Sequence, residues 1–386
     1  RERRSLTDFQ AVQRFAAPDL ASHIKALMAT YRTDNEVLYF LMRMVWQGGI
    51  LGALDEAIVV ASSSTDFNVR TVALRAVAVL GTDADRATVR AALLGGATAP
   101  ERDWIAEAIE TLPHDAASVD WVLKACVGAK RKSRYNIDHL ADAVETYSTK
   151  LPQSLLPHLI EGLEALLSIG PISDDDGQGR RPYDWLLGAA IATLNHLAQA
   201  KDSATFQPSA IALLLSIPAM VRFGDNDDRE DSRRLAEHVS GWEQLNRALF
   251  WDDVKTTRAR RLKKSGEPLV DIWGVGTFGH YWRLTADDFD YIVKEIKAQS
   301  FADDQLIALS AAYALYRDSG RPPAWRRRLK RCAKSSPQLE AALAALLRPQ
   351  SEHLKKWRRQ EARWKQRSAR QAAKHEANRK GWREHL

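Results

Sequence analysis

Apolar residues recur three and four apart along most of the chain, interrupted at short intervals by Gly, Pro, Asp or Thr. That spacing puts one apolar stripe on each of a series of helices. It predicts a first pair over Pro18–Arg32 and Asn35–Gln47, with Thr33-x-x-Glu36 as a capping box for the second. Units follow over 51–81, 84–113 and 116–150, then longer helices over Leu151–Ile169 and Tyr183–Ala200. Phe206–Arg222 reads as an apolar helix bent or interrupted at Pro218. The acidic stretch 225–234 opens a helix expected to run on through Trp242, Leu245, Leu249 and Trp251, its acids favoured by the positive helix end. Thr285–Ser300, with a Thr285-x-x-Asp288 cap, and Phe301–Ser319 form a further pair. Pro322-Pro323-Ala324-Trp325 then opens a basic helix, and Ser336-Pro337 opens the last packed one, which stops at Arg348-Pro349.

One stretch breaks this rhythm. In Glu267–Leu284, Leu269–Trp273 reads as a short strand or extended segment, and Gly274, Gly276 and Gly279 spell a bare GxGxxG. A dinucleotide site needs a helix opening at the last Gly and an acid about 20 residues on. Here the last Gly leads into His280-Tyr281-Trp282, so the glycines are read as shaping a tight aromatic turn. The loop 172–182 carries Asp174, Asp176 and Gly177, but Ile172 and Tyr183 stand where a calcium loop needs acids.

Sliding the sequence on itself by 32 aligns Asp34-x-x-Val37 with Asp66-x-x-Val69-Arg70 and with Thr98-Ala99-Pro100-Glu101-Arg102. Leu41, Ala73 and Ile105 then coincide, as do Met44, Ala76 and Ala108. A unit of this size cannot bury its apolar face alone, so several are expected to stack. The motif resembles HEAT repeats of the short bacterial kind, best over Asp66–Gly96. The resemblance implies an all-α fold: an α-solenoid of HEAT-like helical pairs with a long charged C-terminal helix. It implies a structural role for Asp34, Asp66, Val69, Arg70 and Arg102, the Arg tying successive repeats together. Leu38 replaces that Arg in the first unit, which breaks any Arg–Asp ladder there. The resulting division is 1–150 repeats, 151–262 longer pairs, 263–284 irregular insert, 285–349 final pairs and 350–386 tail.

Composition changes the picture in one respect, charge. Residues 348–386 hold 13 Lys and Arg against 4 Asp and Glu, whereas the remainder carries 43 against 45 and is near neutral. A neutral array argues against a general phosphate-binding trough. Two distant cysteines, Cys126 and Cys332, with no metal-ligand spacing, no Asn-x-Ser/Thr sequon and no signal pattern, point to a reducing, cytoplasmic setting. No apolar run reaches the ~20 residues that span a bilayer, so no membrane partner is expected. The opening RERRSLTDFQ reads as the interior of a helix, so the chain is expected to be a fragment of a longer protein.

The tail admits three readings: a solvated helix docked by its tryptophans, a partner-docking helix, or an anion-binding segment. Its candidate contact residues are Lys355, Lys356, Trp357, Arg358, Arg359 and Trp364. The HEAT-like array, irregular insert and basic tail together resemble the C-terminal region of large bacterial STAND or NACHT-type NTPases. That likeness implies a region that recognises a trigger, often a foreign protein, and controls oligomerisation. No Walker A pattern is present. The expected function is a non-enzymatic protein-binding scaffold, with a protein or peptide on its concave face and with no cofactor, metal or catalytic residue. The alternative is nucleic-acid binding, through the tail or in the manner of HEAT-like DNA glycosylases. The latter needs tryptophans such as Trp104, Trp121 and Trp185 converging with a catalytic carboxylate.

Overall fold

The computed structural model describes residues 12, 14–132, 138–170, 181–223, 228–266, 268–276, 279–348, 361, 363 and 366–370. The fold is all-α, and the described residues contain no strand. They separate into two compact units. Unit 1 is 1–256 with 276–283, and unit 2 is 257–275 with 284–386.

Unit 1 holds α1 (Ala21–Thr30), α2 (Asn35–Gly48), α3 (Leu54–Ser63), α4 (Phe67–Leu80), α5 (Asp83–Gly95) and α6 (Arg102–Ile109). After them come α7 (Ala116–Gly128), α8 (His139–Lys150), α9 (Leu156–Leu167), α10 (Leu187–Gln199), α11 (Pro208–Phe223) and α12 (Asp228–Ser240). The even-numbered helices from α2 to α12 pack each on the next, and the odd-numbered helices from α3 to α11 do the same, giving two layers. Because each helix touches neighbours within its layer and across to the other, its buried face is broad. In α4 it comprises Val69, Val72, Ala73, Leu74, Ala76 and Val77. Fully burying one Val or Leu side chain contributes about 1.5–3 kcal/mol, so the stacking, more than helix propensity, holds each helix in place.

Helix starts are set by local chemistry. Asp34 caps α2, its Oδ1 accepting from the Glu36 and Val37 N–H groups at 3.1 Å. This corrects the Thr33 capping box by one residue, since the aspartate has the extended backbone that aims its carboxylate at the first turn. Asp66 caps α4 by accepting from Val69 N–H at 2.9 Å, and also accepts from the Asn35 amide of the preceding unit at 3.3 Å. Thr82 and Asp85 form a complete capping box at α5.

Two further expectations are narrowed or corrected in unit 1. Pro218 lies inside a continuous α11, which excludes the interruption, though not the bend, expected there. The acidic helix does not run through to Trp251: α12 ends at Ser240, and α13 (Glu243–Ser265) begins after Gly241-Trp242. Trp242 turns inward at this break and meets Phe206 edge-on, with ring centroids 5.1 Å apart. An exposed indole in an unbroken helix would forgo that burial.

Unit 2 contains α14 (Phe289–Ala298), α15 (Ala302–Asp318), α16 (Pro323–Ala333) and α17 (Pro337–Leu347). All of α14, α16 and α17 pack on α15. That central position explains why Ile307, Ala308, Leu309, Ala311, Ala312 and Leu315 are buried on several sides of one helix. The Thr285–Asp288 cap is present as expected. Leu269–Trp273 is not a strand. Asp271 instead accepts from Gly274 N–H at 3.1 Å and closes a 3₁₀ turn over Ile272–Gly274. No described helix is long and apolar enough to cross a membrane.

Candidate functional site

Of the motif residues named from sequence, Asp34 caps its own helix, whereas Asp66, Arg70 and Arg102 reach neighbouring segments of unit 1. Val69 is fully buried. Arg70 donates to the Ala61 and Ser62 carbonyls at 2.8 and 3.2 Å and lies 4.6 Å from the Trp104 ring centre. It thereby satisfies the carbonyl end of α3 with a cation, the sign that a helix C-terminus favours. Arg102 reaches forward instead, donating to both oxygens of Asp138 at 2.8 and 2.7 Å while stacking 3.9 Å from the Trp185 ring centre. The two arginines therefore use different partners, and the aligned position carries no uniform Arg–Asp ladder.

This placement removes two tryptophans from the nucleic-acid reading. Trp104 and Trp185 are buried, each with a guanidinium over its ring. Trp104 Nε1–H donates to the Phe67 carbonyl at 3.3 Å, and Trp121 Nε1–H to the Arg90 carbonyl at 3.4 Å. These indoles tie neighbouring helices together, and the Trp104 and Trp185 rings present no bare stacking face to a base.

The GxGxxG turn is structural as well. His280 stacks on Trp282 at 3.9 Å and lies 2.8 Å from the Trp282 carbonyl through Nδ1. Trp282 Nε1–H donates to buried Asp253 at 2.8 Å, and the Tyr281 and Ser232 hydroxyls meet at 2.7 Å. Asn246 clamps the backbone of Arg283 in both directions, accepting at 2.7 Å and donating at 3.1 Å. Gly276 and Gly279 have φ of 66° and 114°, which L side chains rarely adopt. No helix opens at Gly279, so there is no phosphate-facing N-terminus.

Sequence reasoning missed a groove of about 730 Å³ crossing α4, α6 and α8 of one layer. Its acids are Asp103, Glu107, Glu110 and Asp142, against Arg75 and Lys150. Arg75 Nε donates to Glu107 at 2.8 Å, and its guanidinium lies over Trp46 at 5.4 Å. That carboxylate raises the Arg75 pKa above its ordinary value, opposed by burial. Arg75 is thus already matched, and the exposed carboxylates of Glu110 and Asp142 leave an acidic surplus. His114 stacks on Tyr147 at 5.4 Å, forming a flat flank, and Tyr147 donates to the Pro113 carbonyl at 3.1 Å. Burial first, and the Asp115 charge second, push the Tyr147 hydroxyl up to about 12, so it stays a protonated donor at neutral pH.

One signal would have found this groove. The 32-residue register that aligns the apolar positions also sets Arg75 over Glu107 and Glu110 over Asp142. No group of three or more His, Cys, Asp or Glu suited to a metal occurs among the described residues. The tail candidates Lys355, Lys356, Trp357, Arg358, Arg359 and Trp364 lie outside the described residues.

The chain matches no family model, no curated protein and no solved structure.

Proposed function

We propose that unit 1 is a HEAT-like solenoid scaffold that holds a basic peptide or protein segment in the groove over α4, α6 and α8. The observation that carries this reading is the groove's construction. It spans three successive helices of one layer, has a surplus of exposed carboxylates and is flanked by the Tyr147–His114 stack. Extended repeat surfaces bind by adding contacts from unit to unit, and acids facing a cationic segment give specificity and a fast association rate. Such a scaffold fits a sensor module like the trigger-recognising region of STAND-type NTPases, and it supports a non-enzymatic role.

The test is fluorescence anisotropy with the full chain and matched synthetic peptides of positive, zero and negative net charge. Binding should follow positive charge. Reversing two exposed carboxylates together, Glu110→Lys with Asp142→Lys, should weaken it at least about tenfold, ~1.4 kcal/mol. Equal binding of all three peptides, or an unchanged affinity in the double variant, rejects the groove as the recognition surface.

A further inference from the structure

Outside the basic tail, dividing the charges by compact unit exposes an asymmetry that the near-neutral average conceals. Unit 1 has 28 Lys and Arg against 35 Asp and Glu, net −7, whereas unit 2 as far as Leu347 has 15 against 10, net +5. In unit 2 the cations have a defined stage, α16. Leu329, Cys332 and Ala333 of this helix are buried, and Trp325 stacks on Phe289 at 3.8 Å. Arg328 is committed to Asp290 and lies over the Phe289 ring. Arg326, Arg327, Lys330, Arg331 and Lys334 are all exposed, and none has an ion-pair partner among the described residues. At ~100° per residue the five fall within an arc of about 140°, opposite the packed face.

Two bland explanations fall short. A helix C-terminus favours cations, which accounts for Lys330, Arg331 and Lys334. Arg326 and Arg327 sit near the other end, where the dipole disfavours positive charge and the first turn has no acid to offset it. A solvated face is ordinarily of mixed sign, whereas this one holds cations alone.

We infer that the exposed basic face of α16 is a sequence-independent docking surface for the phosphate backbone of double-stranded nucleic acid. Three of the five cations are arginines, whose planar fork suits phosphate oxygens. The face carries no exposed large apolar side chain. A membrane-surface helix needs such side chains to enter the lipid boundary, and here the helix's apolar side is already used by unit 2. Sequence-independent binding follows because the stripe meets phosphates and offers no group shaped to a base edge. The inference concerns a separate surface and does not depend on the groove in unit 1.

The experiment is anisotropy titration of the full chain with a labelled mixed-sequence DNA duplex of about 20 bp. It is repeated between about 50 and 200 mM salt, with phosphatidylserine vesicles and polyglutamate as parallel probes. Five phosphate contacts contribute a slope near −4.5 in log K against log salt, about a 500-fold loss across that range. Replacing all five cations with Gln should remove that contribution while leaving whatever the tail adds. A second variant guards against misfolding: Arg326→Glu with Arg327→Glu places acids where the helix dipole favours them. It should keep the wild-type melting temperature while flattening the slope by about 2. Three results overturn the inference: no duplex binding at low salt, an unchanged slope in both variants, or binding to vesicles or polyglutamate with none to duplex.

Discussion

The Arg102–Asp138 pair offers a sharp test of how unit 1 is joined. Its side chains are only 12% and 6% exposed, and the guanidinium is held between a bidentate carboxylate and the Trp185 ring. Replacing Asp138 with Leu leaves the arginine charge in place without its carboxylate. Lys132 lies 3.9 Å from Asp138 and shares its sign with Arg102, so it offers no relief. An unpaired charge at a buried site costs about 3–5 kcal/mol, against 0–1 for a surface pair. Arg102→Met should cost less, because Lys132 remains 3.9 Å from Asp138 to offset its charge, with about 0.5–2 kcal/mol lost from the cation–π contact. The double variant, Arg102→Met with Asp138→Leu, removes both charges and should return to within about 1 kcal/mol of wild type. Equilibrium urea unfolding followed by circular dichroism measures all three. Amide exchange should locate the loss, rising first in α8 and α10, since Asp138 immediately precedes the first residue of one and Trp185 precedes the other. If Asp138→Leu costs under about 1 kcal/mol, or the double variant costs the sum of the singles, the pair is not acting as a buried unit.

Other expectations follow from the same geometry. Gly279→Ala forces φ of 114° on an L residue and brings a Cβ within 3.2 Å of Pro218 Cβ; a loss of about 1–3 kcal/mol should show as a lower melting temperature. An unchanged melting temperature would mean the turn tolerates another backbone conformation. Burial pushes the Cys126 thiol up to about 12 from an unfolded value of 9.0. Below pH 9 both states keep the proton, whereas between 9 and 12 only the unfolded state releases it. Stability should therefore fall with rising pH by about 1.4 kcal/mol per unit in that window, relative to Cys126→Ala, as read from urea midpoints. Thiol reagents at neutral pH should label native Cys126 far more slowly than the same residue in urea.

How much of the molecule was legible depended on how local the responsible interactions are. Helices and their starts were readable because apolar spacing and caps act within a few residues. Even there, the Asp34 cap was displaced by one position, since Thr33 and Asp34 both carry acceptors and only backbone geometry chooses between them. The break at Gly241-Trp242 escaped notice because helical periodicity continues through it. What stopped the helix was the burial of Trp242 against Phe206, a residue far back in the chain.

The 32-residue register and the apolar stripes were determined by the sequence itself, because each is a property of neighbouring positions. So was the cation richness of α16. Tertiary structure decided which groups meet. It paired Arg102 with Asp138 and Trp185, turned Arg70 back onto the end of α3, and covered the tryptophans that a linear reading could assign to bases. It also left Glu110 and Asp142 facing a groove, and the five cations of α16 facing outward without partners among the described residues. The physical reason is common to all of these cases. A charge or an indole takes its role from what desolvates or neutralises it, and those partners lie tens of residues away along the chain.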